Sequence, residues 1–583
     1  MHQGNKQGLC AGVNRRSYPV EPFAGSIITR TGEKKEIRAG LCRRHCPGCV
    51  YGDTAAEVSR DTNAALAHVQ NWRDKNELKF APHKTCAMVI TKRLKYDTPI
   101  LNMSGINITM VRSMKLLGLI IDDRLTFNKL VEHVFKKVAD IYKQLARAAR
   151  VSWGLHRDII HTIYTATIEP IVTYAASAWA PATKKLGIRK KLGSIQRGFV
   201  QKLCKSYHTV SLNSALALSG ILPLGLRIQE ATALYEARGG SSQFVPGDRE
   251  IERVVRFAET SHPAEQMDLG FVCLADQQLV DSYNMQTVRI FTDGSKIEGK
   301  VGAALSIWDN EGETQNLKLS LARYCTVYQA ELLVICKATD VILQRNETSY
   351  GLYSDSMSAL QSLTSHGSLH PLAVRARTNL ALASSQSKAV ALFWLKAAGQ
   401  PGNERADELA KEASLGLRRR SDYDLCPISF IRRQTRMDSL GEWNRRYVSG
   451  ETASVTKMFL PDAIVAFRII RQVRPTGVLT KIMTGHGGFS EYLHRFGCKE
   501  NPACNCDEKE TVPHLILHCP IYAFERLRAE RELDVEIISE NIGLIMKSKN
   551  RNTFLTYCVN IAEKVIKKNK TLKNHALYYQ YIV

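Results

Sequence analysis

The chain has 583 residues, which is too long for one compact core, so three or four domains are expected. Its hydrophobic content of 44% and charged content of 23% are those of an ordinary folded protein and exclude a low-complexity chain. The net charge of +24 predicts a polyanionic partner, most often nucleic acid, although a merely basic protein would carry the same charge.

The sequence carries no signal for export or membrane insertion. It starts Met-His-Gln-Gly-Asn-Lys, without the apolar run of a secretory signal, and no stretch is long enough to span a bilayer. The 15 cysteines, an odd number, favour a reducing compartment. We therefore expect an intracellular protein, nuclear or cytoplasmic, that is not secreted and has no transmembrane segment.

Residues 1–50 have no clean helix or strand period. They contain Cys42-x3-Cys46-x2-Cys49 with His45 between, which supplies the four ligand types of a structural zinc site. Zinc binding is thus one interpretation of this stretch. A second interpretation comes from the reading frame of the gene and is given with the polymerase motifs.

Residues 51–230 read as a mostly helical segment. A helix pattern begins at Asp53, strand-like runs follow at Cys86–Thr91 and Lys115–Ile121, and amphipathic helices fill Leu130–Ala149 and Asp158–Trp179. A basic tract then occupies residues 184–205. Residues 231–286 lack strong periodicity and are interpreted as a linker.

A compact α/β pattern between residues 287 and 417 places four carboxylates at ends of predicted elements. Asp293 and Asp355 end β-runs, Glu331 lies early in a helix over Thr326–Leu343, and Asp407 lies at the start of the last helix. Such hard oxygen ligands suit Mg²⁺ or Mn²⁺, and two ions about 3.5–4 Å apart can promote phosphodiester hydrolysis. Each residue alone would more simply be a turn former or a solvated helix charge, but their joint order favours a metal site.

These segments resemble the four motifs of the ribonuclease H domain, in the version carried by insect non-LTR retrotransposon polyproteins. The matching stretches are Thr-Asp293-Gly-Ser, Ala-Glu331-Leu, Ser-Asp355-Ser and Asn-Glu-Arg-Ala-Asp407-Glu-Leu-Ala. The resemblance implies a mixed five-stranded sheet flanked by helices, which cleaves the RNA strand of RNA–DNA hybrids. It also implies that these four acids are the catalytic residues and hold two Mg²⁺ or Mn²⁺ ions.

The loop before the last helix departs from this family. The family pattern is Trp-x-Lys-Ala-His-x-Gly, whereas this chain reads Trp394-Leu-Lys-Ala-Ala-Gly-Gln-Pro-Gly402, one residue shorter and without the histidine. In the family that histidine is thought to assist proton transfer or product release. We therefore expect an impaired enzyme that keeps its metal ligands.

Residues 51–230 resemble the end of the palm and the thumb of the same elements' reverse transcriptase. The resemblance is carried by Lys115-Leu-Leu-Gly-Leu and by the helix-like stretch Pro170–Trp179. The basic tract includes Arg189, Lys190, Lys191 and Arg197 with Phe199 among them, which fits a face that tracks phosphates. A solvated helix surface is an equal alternative.

The polymerase carboxylates of this family lie in a Tyr-Ala-Asp-Asp turn, which should fall shortly before Gly52. Residues 39–50 can be encoded so that reading one base later gives this turn, and residues 10–29 permit the preceding palm motif in the same shifted frame. We interpret residues from about 9 to 49 as an aberrant, out-of-frame segment of the gene. On this reading Cys42, Cys46 and Cys49 are not zinc ligands, and no polymerase activity is expected.

A second cysteine cluster reads Cys504-x-Cys506-x7-His514-x4-Cys519. Three thiolates and an imidazole satisfy one tetrahedral zinc ion, and the spacing resembles the CCHC knuckle that follows ribonuclease H in these elements. Cys498 and His518 are alternative ligands, and reduced cysteines without metal are the bland alternative. A knuckle of this kind would bind single-stranded or structured RNA.

The predicted organisation is multidomain α/β. It consists of an aberrant segment (1–50), a reverse transcriptase remnant (51–230), a linker (231–286), a ribonuclease H domain (287–417), and a basic helical tail (418–583) with the knuckle at 498–520. The predicted activity is metal-dependent endonucleolytic hydrolysis of RNA in RNA–DNA hybrids, with RNA as a further partner. The alternative is a catalytically inactive remnant that only binds nucleic acid. The oligomeric state is left open.

Overall fold

The computed structural model describes residues 37–43, 46–79, 81–148, 156–238, 250–283, 286–396, 399–416 and 420–571. The chain divides into two compact units. The central unit is Ala233–Met437, and the split unit combines Met1–Thr232 with Asp438–Val583. Among the described residues, no helix combines the length and apolar character needed to cross a membrane.

The central unit is built on a mixed sheet. The strands are β1 (Val272–Leu274), β2 (Val288–Ile297), β3 (Lys300–Trp308), β4 (Glu313–Leu321), β5 (Ser349–Ser354) and β6 (Ala389–Leu395). Their order in the sheet is β4-β3-β2-β5-β6-β1. Strand β2 pairs antiparallel with β3 and parallel with β5, and β3 pairs antiparallel with β4.

The predicted number of five strands was wrong, because β1 adds a sixth strand to the edge of the sheet. It comes from the segment predicted as a linker and pairs parallel with β6, with Val272 opposite Phe393 and Leu274 opposite Leu395. Leu274 is buried in one apolar cluster with Phe393 and Leu395. A strand of three residues with one buried side chain is too short to produce a period-two pattern.

Helices cover both faces of this sheet. The helices are α1 (Gln277–Tyr283), α2 (Val327–Gln344), α3 (Met357–Thr364), α4 (Pro371–Ser385) and α5 (Pro401–Leu415). Along β3, Val301, Ala303 and Leu305 join the apolar cluster formed with α2 and α4, whereas Ala304 packs with Leu409 and Ala410 of α5 on the opposite face. This alternation follows from the period-two geometry of a strand.

The two ends of the central unit meet each other. Ala237 and Ile251, from its beginning, form one buried cluster with Cys426 and Ile431, from its end. The Glu252 amide donates to the Cys426 carbonyl at 2.9 Å, and the Cys426 amide donates to the Glu250 carbonyl at the same distance. The chain therefore enters and leaves this unit at one place.

In the split unit, the strand predicted over residues 115–121 is instead a hairpin of Ser113–Leu116 and Leu119–Asp122. Leu117 and Gly118 form its turn with φ values of 46° and 88°. Two consecutive positive φ values are those of a type I′ turn, which reverses the chain within two residues. The other strands are Ile37–Arg43, Cys46–Gly52, Cys86–Ile90, Asn102–Met103, Ile106–Asn107 and Thr109–Met110.

The predicted helix over residues 158–179 is broken into several pieces. A π-helical turn occupies Tyr164–Ile168, just before Pro170, which has no amide hydrogen and whose ring would clash with the carbonyl four residues earlier in a regular helix. A second break occurs at Ala175, whose φ is 47°. The pieces are Arg157–Ile163, Glu169–Thr173 and Ala176–Trp179.

Most of the remaining helices of the split unit share one hydrophobic core, although they come from both ends of the chain. The helix Ala55–Lys75 packs instead in two smaller apolar clusters. The Thr480 hydroxyl donates to the Cys204 carbonyl at 2.6 Å, and the Thr456 hydroxyl donates to Ser214 Oγ at 2.9 Å. The carboxy-terminal tail is therefore packed onto the segment that precedes the central unit. The remaining helices are Ala55–Lys75, Asn128–Ala148, Leu186–Leu203, Leu212–Ser219, Leu224–Arg238, Ile428–Ser449, Ser454–Phe459, Ala463–Val473, Gly477–Thr484, Ser490–Arg495, Ala523–Leu533, Ser539–Lys547 and Arg551–Thr571. The last three of them follow the cysteine cluster.

Candidate active site and metal centre

Two of the predicted acids are placed by strand register. Thr292 of β2 and Ser354 of β5 are paired in the parallel ladder, so Asp293 and Asp355, the next residue on each strand, lie side by side at the same edge. The Thr292 hydroxyl donates to the Tyr353 carbonyl at 3.0 Å, and the Trp394 indole donates to the Asp355 carbonyl at 2.9 Å. These bonds hold both strand ends in place.

Helix α2 brings Glu331 to the same edge. A capping box fixes the start of this helix, because Thr326 Oγ1 accepts from the Gln329 amide at 3.1 Å and Gln329 Oε1 accepts from the Thr326 amide at 3.0 Å. The Glu331 side chain lies in the second turn and is only 5% exposed. Its Oε2 atom is buried and accepts no hydrogen bond within the described part of the chain.

The structure brings three of the four predicted acids together. One carboxylate oxygen from each of Asp293, Glu331 and Asp355 lies within 4.8 Å of the others. Asp407, on α5, is not part of this group, and its Oδ2 atom accepts a hydrogen bond from Lys411 Nζ at 2.6 Å. Lys411 was not identified from the sequence, although its spacing of four residues from Asp407 on a helix was a usable signal.

Close contacts fix the position of α5. A methyl group at Gly302 would lie 2.4 Å from the Ser414 amide, and one at Gly402 would lie 2.3 Å from the Phe291 ring. Glycine at these two positions lets the helix that carries Asp407 approach β2 and β3 directly.

The three acids of the cluster repel one another electrostatically. Burial, and then the charges of Asp355 and Asp407, raise the pKa of Asp293 to about 7. Burial and the neighbouring Asp293 and Asp355 raise the pKa of Glu331 well above its usual value, and burial and Asp407 raise the pKa of Asp355. Three mutually repelling carboxylates, of which Asp293 and Glu331 are buried and Asp355 is half-buried, together with an unbonded Glu331 oxygen fit a divalent cation.

The four predicted knuckle ligands also converge. The Cys504 and Cys519 sulfurs lie 3.8 Å apart, as do those of Cys506 and Cys519, and Cys506 Sγ lies 3.1 Å from His514 Nε2. A tetrahedral zinc site with Zn–S bonds of about 2.3 Å requires sulfur atoms about 3.8 Å apart. The cluster has the donor set of a Cys3His zinc centre, and these two sulfur separations match that geometry.

The alternative ligands lie outside this cluster. The Cys498 thiol donates to the Phe496 carbonyl at 3.5 Å, and the exposed His518 is not among the four grouped residues. His45 and the side chains of Cys42, Cys46 and Cys49 lie outside the described residues, as do most of residues 1–50. Ala397 and Ala398, at the place of the missing loop histidine, lie outside them too.

Sequence reasoning missed the role of Glu510, which is fully buried between two zinc-ligand positions. Its Oε1 atom accepts from the Ser490 amide at 2.8 Å and from Asn569 Nδ2 at 2.6 Å, and its Oε2 accepts from Lys568 Nζ at 2.9 Å. Burial alone would raise the pKa of Glu510, but these hydrogen bonds hold it below its usual value. Glu510 thus ties the cysteine-rich loop to the last helix.

The basic tract of the split unit forms most of one helix, Leu186–Leu203. Arg189, Lys190 and Lys191 are exposed on it. Arg197 instead donates to the His208 and Val210 carbonyls, both at 3.1 Å. The Phe199 side chain is 0% exposed in the core, so it is not part of the exposed basic face in which the sequence placed it.

Comparison with known proteins identifies the class of the central unit. Residues 285–415 match the family model of RNase H, and this match agrees with the mixed sheet and the acid cluster described above. The chain therefore contains an RNase H domain, with the mixed sheet that the resemblance implied.

The chain is similar to polyproteins of insect retrotransposable elements. It is 29% identical over 196 residues to the Retrovirus-related Pol polyprotein from type-1 retrotransposable element R1 2 of Nasonia vitripennis, covering 33% of this chain and 48% of that protein. It is 24% identical over 191 residues to the putative 115 kDa protein in type-1 retrotransposable element R1DM of Drosophila melanogaster, covering 33% and 19%. The predicted resemblance to an insect non-LTR retrotransposon polyprotein is confirmed.

The matches extend over only part of these proteins. The aligned region spans 48% of the R1 2 polyprotein and 54% of a second Nasonia vitripennis relative, the Retrovirus-related Pol polyprotein from type-1 retrotransposable element R1 4, so the chain spans about half the length of each. Among solved structures, RNase H1 from the archaeon Halobacterium salinarum NRC-1 is 22% identical, with 22% of this chain and 96% of that chain covered and a TM-score of 0.19.

Proposed function

We propose that the central unit is a metal-dependent endonuclease that hydrolyses the RNA strand of RNA–DNA hybrids. The observation that carries this proposal is the convergence of Asp293, Glu331 and Asp355 within 4.8 Å in a matched RNase H domain. The +24 net charge is consistent with a nucleic-acid substrate. Recognition would rest on the 2′-hydroxyls and on the shape of the hybrid rather than on base sequence.

Each residue of the site has a separate proposed role. Asp293, Glu331 and Asp355 would hold Mg²⁺ or Mn²⁺, and Asp407 would join them as the fourth ligand. Two bound ions supply an activated water and stabilise the leaving oxygen. Asp293, with its pKa raised to about 7, must lose its proton before it can act as a ligand. Thr292 and Trp394 position the strand ends through their hydrogen bonds.

Turnover is proposed to be slow, because the loop between Trp394 and Gly402 has no histidine. A group that relays a proton commonly contributes 10²–10⁴-fold to a rate, as an order-of-magnitude estimate. The chain retains the acids, so we expect reduced rather than absent cleavage. Polymerase activity is not expected, since the Tyr-Ala-Asp-Asp turn is not encoded in this frame.

Incubation of the purified full chain with an end-labelled RNA–DNA hybrid tests the proposal. Parent protein, Asp355→Asn and a control variant with an exposed loop acid changed, Glu311→Gln, are compared in Mg²⁺ and in Mn²⁺. We expect the parent and the Glu311→Gln variant to cut the RNA strand, and Asp355→Asn to leave it intact. Failure of folded parent protein to cut in either metal would contradict the proposal.

The missing histidine favours a second candidate function, a catalytically inactive remnant that binds nucleic acid. Under this alternative the hybrid would be bound but never cut. Salt dependence of binding does not distinguish the two candidates, because both rely on contacts with phosphates. Cleavage by the parent would eliminate the second candidate.

We further propose that Cys504, Cys506, His514 and Cys519 hold one structural zinc ion. The support is the 3.8 Å spacing of the sulfurs, which matches a tetrahedral site. Bound zinc would close the loop that Glu510 ties to the last helix. The knuckle and the exposed cations of the split unit would together bind single-stranded or structured RNA. In keeping with the resemblance, residues 51–230 are proposed to derive from a reverse transcriptase palm and thumb.

A further inference from the structure

Lys411 occupies the position from which it can neutralise the fourth acid of the RNase H site. It lies one helical turn after Asp407 on α5, and its ammonium is 2.6 Å from Asp407 Oδ2. The Lys411 side chain is 52% exposed and that of Asp407 is 41% exposed, so the pair lies at the open edge of the site. Within the described part of the chain, none of Asp293, Glu331 and Asp355 forms an ion pair with a lysine or an arginine.

The charge of Lys411 reaches the three-acid cluster as well. It acts to lower the pKa of Asp293, whereas the negative charge of Asp407 acts to raise the pKa of both Asp293 and Asp355. Asp407 is therefore electrostatically close to the cluster even though its carboxylate is not grouped with the other three. Its side chain is directed to Lys411 instead.

We propose that Lys411 is the resident counter-ion of Asp407 and that it competes with the second divalent cation for this carboxylate. Asp293, Glu331 and Asp355 take the first ion, and the second ion binds only when it displaces the Lys411 ammonium. The proposal rests on the proposed function, because it concerns the metal ligands of the same site. Lys411 is a positioning residue here, since it acts through Asp407 and not on the substrate.

The competition must be mild for the site to work. An exposed lysine–carboxylate pair four residues apart on a helix is a weak interaction, and lysine is a flexible point charge that can swing away. The ion pair would therefore set the concentration at which the second ion binds without preventing its binding. Removing the charge of Lys411 should raise the affinity for the second ion by about three-fold or more. The ion no longer competes with a weak ion pair and is no longer repelled by the Lys411 ammonium.

Mn²⁺ binding to the full chain tests this, with free Mn²⁺ followed by electron paramagnetic resonance and no substrate present. The chain offers a matched control, because Lys318 pairs with Glu412, the residue after Lys411 on the same helix. Lys411→Met is compared with Lys318→Met, with Lys411→Arg, and with Asp407→Asn alone and combined with Lys411→Met. Mn²⁺ suits the carboxylate site and competes poorly for the cysteine cluster.

We expect parent protein to bind one Mn²⁺ tightly and a second more weakly. The second affinity should rise in Lys411→Met, stay near the parent value in Lys318→Met and Lys411→Arg, and be lost in both Asp407→Asn proteins. Equal second affinities in parent and Lys411→Met, with the first ion bound normally, would overturn the inference alone. Absence of any Mn²⁺ binding to the parent would overturn the metal-dependent function and this inference with it.

Discussion

Gly294 lies directly against the helix turn that carries Glu331. A methyl group at Gly294 would stand 2.9 Å from the Glu331 amide nitrogen and 3.1 Å from its carboxyl carbon. No side chain fits at this distance, so the glycine that follows Asp293 allows the strand and the helix to bring their two acids together. The requirement concerns space and not backbone conformation.

Gly294→Ala should therefore move Glu331 and disable the acid cluster. Overpacking of this kind costs about 1–3 kcal/mol of stability, and we expect cleavage of the hybrid to fall by about ten-fold or more. Gly270→Ala is the control, because a methyl group there would meet nothing within 4 Å. Initial cleavage rates at saturating Mn²⁺ measure the effect, and equal rates for the two variants would show that Glu331 tolerates the displacement.

The affinity for Mn²⁺ should depend on pH through Asp293. Since burial and the neighbouring acids raise its pKa to about 7, Asp293 is protonated below that pH and must lose the proton to bind a cation. Binding should thus strengthen as pH rises from 5.5 to 7, by up to about ten-fold per unit for each displaced proton. Calorimetric titration of the first Mn²⁺ at four pH values measures this. A flat profile would mean that the acid cluster does not titrate as described.

Loss of a knuckle ligand should remove the zinc. Cys506→Ser leaves three ligands, and we expect its zinc content to fall from about one equivalent to near zero after dialysis. Cys498→Ser is the matched control, because its thiol bonds to a carbonyl outside the cluster. Elemental analysis of the purified proteins decides the matter. Zinc lost by Cys498→Ser as well would instead favour Cys498 as a ligand in place of Cys504.

Glu510→Gln should destabilise the split unit. The amide cannot replace the charge that pairs with Lys568 or accept the same set of donors, and breaking a buried ion pair costs about 3 kcal/mol. Glu508→Gln changes an exposed neighbour in the same loop and should have little effect. Hydrogen exchange in the last helix, Arg551–Thr571, reports the loss locally. Unchanged exchange there would show that the loop is held by other contacts.

Restoring a histidine to the loop should raise turnover. Ala398 stands where the family pattern has its histidine, so Ala398→His, alone or with one residue inserted after it, should increase kcat by about ten-fold or more if proton transfer limits the rate. The affinity for Mn²⁺ should not change, which separates this effect from altered metal binding. Single-turnover cleavage measures the rate, and an unchanged rate in both variants would show that the histidine is dispensable here.

The sequence predicted the central unit well because its signals are local. The strands and helices between residues 287 and 417 have their own periods, and the resemblance of the four acid motifs to ribonuclease H implied the mixed sheet. Strand register then puts Asp293 beside Asp355 once the fold is formed. The sequence did not indicate the side-chain conformation of Asp407. Whether this carboxylate lies against Lys411 or against the other acids depends on distances that only the folded structure sets.

The split unit was harder to predict for a different reason. Its helices have amphipathic patterns, but a pattern does not say which apolar face meets which, so the shared core of residues 186–232 and the tail could not be inferred. The turn at Leu117 and Gly118 was missed because leucine rarely adopts a positive φ. The break before Pro170 was readable, since proline inside a helix pattern is itself a signal.

The meeting of both ends of the central unit at Ala237, Ile251, Cys426 and Ile431 bears on the order in which the protein folds. The core of the split unit joins segments separated by about 200 residues, Ala233–Met437, and closing a flexible loop of that length costs ~5 kcal/mol in chain entropy. If the central unit folds first, it holds its own ends together and leaves the split unit only a short gap to close. Folding of the RNase H fold would then bring together the two segments that form the split unit. A mutation that slows folding of the central unit would therefore also delay formation of the core of the split unit.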